Sequence, residues 1–229
     1  MNYRTLGVIG GLGLETSLKF CATVVTKVRA VTKTQPSVLC QIVNIPTAVE
    51  NDLIYGRPSR EHLAILVEAI NSLDSAGVDK IAVPCNTVHL FMHEMRAAAK
   101  APVFNIIEET AIKAAQMNLK KVGVLASSTT VDAGLYPKEL STRGIETLAP
   151  NDAGQKTISD LIFKILNGVA TSQDESAARK VMKKLEDDGA DAMILGCTDL
   201  RMAGLRSKTP IIDSATVLED AAVGYLVQN

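Results

Sequence analysis

The 229-residue chain contains no tryptophan, and aromatic residues make up only 3% of it. Proteins that hold single-stranded nucleic acid stack bases on exposed aromatic rings, so a chain this poor in them is not expected to be one. Neither sign of charge is in excess: 24 Lys and Arg stand against 25 Asp and Glu, a formal net charge of −1. That balance leaves no basic footprint for nucleic acid and no polybasic segment for an anionic membrane surface. No apolar run reaches the roughly 18 residues that would cross a bilayer. Residues 1–9 carry one charge and lack the long apolar stretch of a secretory signal, so a cytoplasmic location is expected, with no nucleic-acid or membrane partner. None of the four cysteines forms a Cys-x-x-Cys pair. In a reducing compartment, widely spaced cysteines are core residues or reactive thiols more often than disulfides.

What is present is an alternation of short β-branched runs with longer helical stretches. Strands are expected at 6–9, 38–43, 80–83, 103–106, 122–125, 146–148, 192–195 and 211–212. Most are continuous apolar runs, as parallel strands buried on both faces should be. Helices are expected at 15–30, 59–75, 88–100, 109–117, 131–143, 155–166, 174–187 and 216–226. In the second of these, Leu63, Leu66, Val67, Ile70 and Leu73 recur at helical spacing. The alternation defines an α/β protein with parallel sheets.

The chain also repeats itself. Gly77-Val-Asp79-Lys-Ile-Ala-Val-Pro-Cys85 matches Gly189-Ala-Asp191-Ala-Met-Ile-Leu-Gly-Cys197, with Gly, Asp and Cys in the same register. Gly7-Val-Ile-Gly-Gly stands 78 residues before Cys85, and Gly123-Val-Leu-Ala-Ser stands 74 before Cys197. A Pro-led apolar strand follows each Cys, at 101–104 and 209–212. Two related halves explain this pattern. Two similar α/β lobes are expected, one of 1–106 with the last helix, 214–229, packed back on it, the other of 107–213.

Cys85 and Cys197 each end a buried strand, where open α/β sheets bind ligands. A helix N-terminus at that point offers free N–H groups and partial positive charge, which favours thiolate. Asn86, Thr87 and Thr198 follow as compact hydrogen-bonding side chains. Two thiols approaching one cleft suit removal of a proton from one face of a carbon and its return on the other. Cys21, inside a helix, and Cys40, inside a strand, are expected in the core. His89 and His93 have the i, i+4 spacing of a helical metal pair, but no Glu follows His89 and no third ligand is apparent, so no metal is assigned. His62 opens an amphipathic helix with no visible partner. Gly10-Gly11-Leu12-Gly13 fits a dinucleotide loop only in part, because Thr16 occupies the third glycine position and no acidic residue follows the second strand. It still suits either a carboxylate-binding turn or a plain strand-to-helix turn. The same two readings apply to Ser127-Ser128-Thr129-Thr130 in the second half.

Together, Gly-Val-Ile-Gly-Gly-Leu-Gly at 7–13, Pro-Cys-Asn-Thr-Val-His at 84–89, Ile-Glu-Glu-Thr at 107–110, Val-Gly-Val-Leu-Ala at 122–126 and Leu-Gly-Cys-Thr-Asp at 195–199 resemble the aspartate/glutamate racemase family, its aspartate racemase branch in particular. The resemblance covers nearly the whole chain. It implies two flavodoxin-like lobes related by a pseudo-twofold axis, with the active site between them. It implies cofactor-independent racemisation of a small amino acid, aspartate first, by Cys85 and Cys197, with neither pyridoxal phosphate nor metal, in a homodimer. Matching positions make Asn86, Thr87, Ser127, Thr130 and Thr198 binders of the substrate's α-carboxylate, and Gly11 is included from the glycine loop. Alternatives are a racemase for glutamate or a neutral amino acid, or a relative resembling maleate isomerases and decarboxylases. The chain departs from the family where a second carboxylate would be held. The Arg usual after the second strand is absent, Lys164 is displaced from the usual Lys position, and Arg57 and Arg60 are the candidate substitutes. Asp199 stands where the family usually has Glu, and Ser127 where it usually has Thr.

Overall fold

The structure, a computed structural model, describes residues 4–228. The first half runs through β1 (Thr5–Gly10), α1 (Leu14–Thr32), β2 (Ser37–Ile42), α2 (Thr47–Asp52), α3 (Arg60–Ser75), β3 (Lys80–Ala82), α4 (Met92–Ala98) and α5 (Ile106–Gln116). The second runs through β4 (Lys121–Leu125), α6 (Ser128–Asp132), α7 (Leu135–Ser141), β5 (Glu146–Leu148), α8 (Asp152–Leu166), α9 (Ser172–Asp187), β6 (Ala192–Leu195), β7 (Ile211–Asp213) and α10 (Ser214–Val227). Short 3-10 turns, Thr87–Phe91 and Thr198–Ala203, follow β3 and β6. The strands form two sheets, ordered β2-β1-β3 and β5-β4-β6-β7, with every pairing parallel. This is the expected α/β class. Among the described residues no helix is long and apolar enough to cross a membrane.

The Gly-x-Asp repeat has a structural cause in both halves. Gly77 and Gly189 take left-handed φ values of 75° and 94° just past α3 and α9, the conformation that ends a helix and that glycine adopts without strain. Two residues on, Asp79 accepts a hydrogen bond from the Thr5 N–H at 2.6 Å, and Asp191 accepts from the Lys120 and Lys121 N–H groups at 2.9 and 2.8 Å. Each Asp thus ties the start of its own strand to the start of the neighbouring strand. This fixes the register that delivers Cys85 and Cys197 at the far ends.

Three expectations change. The strand at 103–106 shrinks to one bridge, Ile81 with Val103. Asn105 caps α5 by accepting from the Ile107 and Glu108 N–H groups, which pulls Ile106 into the helix. The helix at 131–143 divides into α6 and α7 at Gly134, whose φ is 62°. Cys40 is exposed and Cys21 only half-buried, so neither is a core residue. The reason is topological: β2 is an edge strand, and most of its side chains are uncovered.

The two halves share packing. α10 lies against α1 and α5, while α5 lies against α7 and β7. One apolar cluster therefore runs from Leu6, Phe20 and Val24 through Ile106 and Ala111 to Val124 and Ile194. Beside it, Arg201 bonds Glu219 at 2.7 Å and Asp213 at 3.1 Å, and Glu219 is only 2% exposed. Removing the cation leaves a buried carboxylate with Lys27, 3.7 Å away, as its remaining cation. Breaking such a pair typically costs about 3–5 kcal/mol. Arg201→Met is expected to lose that much stability in urea unfolding, and the double change with Glu219→Gln to recover part of it. A loss below about 1 kcal/mol would show that the network contributes little.

Candidate active site

The turns that follow β3 and β6 line one cleft at the junction of the halves, where Thr198 Oγ1 meets the Pro84 carbonyl. The cleft is narrow and partly open to solvent, with a free volume of about 30 Å³. Cys85 lines it from the first half and Cys197 from the second, with Asn86, Thr87, Ser127 and Thr198. Thr130 sits just behind this lining, 1% exposed. Thr87, Ser127 and Thr130 form a triangle of hydroxyls, with Oγ to Oγ1 and Oγ1 to Oγ1 distances of 2.9, 3.0 and 3.2 Å. Thr87 comes from one half and the other two from the opposite half, so the triangle exists only when the halves are joined.

Asn86 and Thr198 also make the joint. Tyr136 donates to Asn86 Oδ1 at 2.6 Å, Asn86 Nδ2 donates to Ser214 Oγ at 2.9 Å, and the Ser214 hydroxyl donates to the Leu195 carbonyl at 2.7 Å. Thr198 Oγ1 donates to the Pro84 carbonyl at 3.2 Å. The residue after each cysteine therefore reaches into the opposite half.

Gly11 lies outside this lining. Its φ is 102°, and a Cβ there would lie 2.7 Å from the Val43 carbonyl oxygen. It is needed for a close crossing of two backbones. Gly13, two residues on, does line the cleft. Its N–H donates to Glu50 Oε1 at 2.9 Å, and a Cβ there would lie 2.7 Å from Asp199 Oδ1. The glycine loop thus makes room for two protein carboxylates.

Asp199 is the central one. Its Oδ1 accepts from Thr16 Oγ1 at 2.5 Å, and its Oδ2 lies 3.8 Å from Cys197 Sγ. Burial pushes its carboxyl up to about 6, opposed by the Thr16 hydrogen bond and reinforced by Glu50. Burial also raises both thiols, Cys85 to about 12 and Cys197 well above its ordinary value, and the Asp199 charge adds to both. The backbone N–H groups of Thr87 and Val88 at Cys85, and of Asp199 and Leu200 at Cys197, pull the thiols down as expected of the turns. They do not prevail, because desolvation of a thiolate and two nearby carboxylates outweigh them. Burial therefore opposes the thiolate form expected from the turns.

The histidines divide. His89 is buried, with Nδ1 2.8 Å from the Cys85 carbonyl and Nε2 3.4 Å from that of Phe104. Burial lowers it to about 4, so it is neutral. A neutral ring has one N–H to give, and the shorter contact marks Nδ1–H as donor to Cys85. His93 is exposed, and among the described residues no group of three or more His, Cys, Asp or Glu is placed to hold a metal. His62 does have partners: Nδ1 accepts from the Ser59 N–H at 3.0 Å, and Nε2 meets the Val49 carbonyl at 2.7 Å, joining α3 to α2. The candidate cations are elsewhere. Arg57 pairs with Asp52, Arg60 is exposed, and Lys164 pairs with Asp174.

Leu12, Leu53, Ile54, Ile162 and Leu166 complete the lining. Leu53 and Ile54 follow α2 and cross to the second half, where the Ser128 N–H donates to the Ile54 carbonyl at 3.0 Å and the Gly56 N–H to Thr129 Oγ1 at 2.8 Å.

Two α/β halves, each presenting a cysteine to a shared cleft, define a bilobal α/β protein with a paired-thiol site. A family model described as Asp/Glu/Hydantoin racemase matches residues 9–222, so the chain belongs to that family and is an amino-acid racemase. It is 31% identical over 160 residues to the broad specificity amino-acid racemase RacX of Bacillus subtilis, 69% of each chain being covered. Against the glutamate racemase of Desulforudis audaxviator the figures are 30% over 148 residues, 63% of this chain and 53% of that one. The fold is shared with the aspartate racemase of Picrophilus torridus, at TM-score 0.78 and 23% identity over 99% of this chain and 95% of that one. It is also shared with the glutamate racemase of Francisella tularensis, at TM-score 0.71 and 21% identity over 99% and 82%.

Asp199 gives a pH signature. Its folded pKa of about 6 lies above the ordinary 3.8, so the folded state holds that proton more tightly. The stabilisation is complete below pH 3.8 and is lost as pH rises through about 6. At ~1.4 kcal/mol per pH unit it amounts to about 3 kcal/mol. Urea unfolding from pH 4 to 7 is expected to show this fall in the native protein and a flatter profile in Asp199→Asn. Parallel profiles would show that the carboxyl is not perturbed.

Proposed function

We propose that the protein racemises free amino acids whose side chain bears no carboxylate, with Cys85 and Cys197 exchanging a proton at Cα from opposite faces. The carrying observation is the charge of the cleft. Glu50 and Asp199 line it, and no Lys or Arg stands among the described lining residues. The hydroxyl triangle is suited to the α-carboxylate, and the carboxylates are suited to the α-ammonium. Leu53, Ile54, Ile162 and Leu166 leave an apolar wall for the side chain. Aspartate or glutamate would bring a second carboxylate next to two others with no cation to meet it, an arrangement that low dielectric penalises heavily. The name of the Bacillus subtilis relative, a broad specificity racemase, agrees with a cleft not built for a dicarboxylate.

In each direction one cysteine, as thiolate, takes the Cα proton, and the opposite thiol returns its own proton to the other face. The two sulfurs finish with their protonation states exchanged. Fixed donors at the α-carboxylate stabilise the carbanion between the two transfers. The substrate's ammonium, entering between Glu50 and Asp199, offsets the field that holds both thiols protonated. A homodimer in the cytoplasm belongs to the same reading and is supported by the family resemblance.

The test is L-to-D and D-to-L conversion of a panel of amino acids, followed by chiral chromatography. Neutral and basic amino acids are expected to convert with kcat/KM well above that of aspartate. Cys85→Ala and Cys197→Ala are each expected to lose ~10²–10⁴-fold. Preference for aspartate would overturn the side-chain assignment, and full activity in either variant would overturn the two-thiol mechanism.

A further inference from the structure

Two more thiols meet outside the cleft. On β2, Val38, Cys40 and Ile42 alternate onto one face of the sheet, as period-two geometry requires. Val38 packs into the core cluster that includes α1's Phe20, Val24 and Val28, so that face is the one α1 covers. A Cβ at Gly10 would lie 2.9 Å from both Ile42 Cδ1 and Ser17 Cβ, which sets Ser17 against Ile42. β1 and β2 are parallel, so α1 between them runs the opposite way. One turn forward from Ser17 is Cys21, about 6 Å along the helix. Two residues back from Ile42 is Cys40, about 6.6 Å along the strand. The two cysteines therefore face each other, one half-buried and one exposed.

We propose that Cys21 and Cys40 form a redox-responsive dithiol that hydroperoxides close to an intramolecular disulfide, pinning the edge strand β2 to α1. Their proximity couples the two thiols: Cys21 draws the Cys40 thiol down to about 7, and Cys21 becomes the harder of the two to ionise. Cys40 thus supplies an exposed thiolate near neutral pH, the species that oxidants attack. Its sulfur displaces hydroxide from hydrogen peroxide. An S–O bond forms, the O–O bond breaks, and sulfur loses the two electrons that peroxide gains. The Cys21 sulfur then attacks the Cys40 sulfenic acid. The S–S bond forms, the S–O bond breaks, and the leaving oxygen departs as water with the Cys21 proton. Cys85 and Cys197 lag because their thiols are held protonated in the cleft.

The native full chain, treated with a few equivalents of hydrogen peroxide, alkylated under denaturing conditions and mapped without reduction, tests this. A Cys21–Cys40 linked peptide pair, lighter by two hydrogens, is expected to form before Cys85 or Cys197 is modified and to reopen with dithiothreitol. Cys21→Ser is expected to trap Cys40 as a sulfenic acid that dimedone captures, and Cys40→Ser to leave Cys21 reduced. The proposal is overturned if Cys40 stays reduced, if it links to Cys40 of a second chain, or if the cleft cysteines oxidise first.

Discussion

The cleft depends on one buried polar chain: Tyr136 to Asn86, Asn86 to Ser214, Ser214 to the Leu195 carbonyl. Asn86 and Tyr136 are each 1% exposed, and Ser214 is fully buried. In such surroundings a polar group left unpaired costs far more than a paired one returns. The halves are therefore held in the one relative position that satisfies every member. Asn86 directly follows Cys85, and Leu195 lies two residues before Cys197. The same chain that joins the halves thus sets one thiol relative to the other. The Thr198 bond to Pro84 makes the reciprocal tie, and the hydroxyl triangle closes only as a result.

Within that frame the electrostatics favour a cationic guest. Two carboxylates and two thiols share the cleft, Asp199 and Cys197 buried, Glu50 and Cys85 half-buried. The backbone N–H groups at the two turns partly offset the charge, while burial raises Asp199 and both thiols. In the proposed reaction, the substrate's α-ammonium group would supply the missing charge and release one thiol as the base. Gly13 has a steric part in this arrangement, since a larger residue would displace Asp199 from Thr16.

The strongest sequence signals are those set by local geometry. The Gly-x-Asp repeat reports a helix end and a strand-start tie, both made within one lobe, and so the strands and the placement of Cys85 and Cys197 could be read directly. Glu50 could not. It sits on α2, six residues with no buried side chain, and so shows no periodicity. Asp199 stands in a visible motif, but its partner Thr16 is 183 positions away. Gly11 and Gly13 look alike in sequence, and only the crossing with Val43 and the approach of Asp199 separate their roles. Cys40 sits in a run that reads as buried, but the sheet order places that run at an edge.

The most direct test of two-thiol chemistry follows solvent deuterium during the first few per cent of conversion of a single enantiomer in heavy water. With separate acid and base on opposite faces, deuterium enters the product enantiomer at Cα while the remaining substrate stays unlabelled. Equal early labelling of recovered substrate and product would mean that one group serves both faces, and would contradict the account.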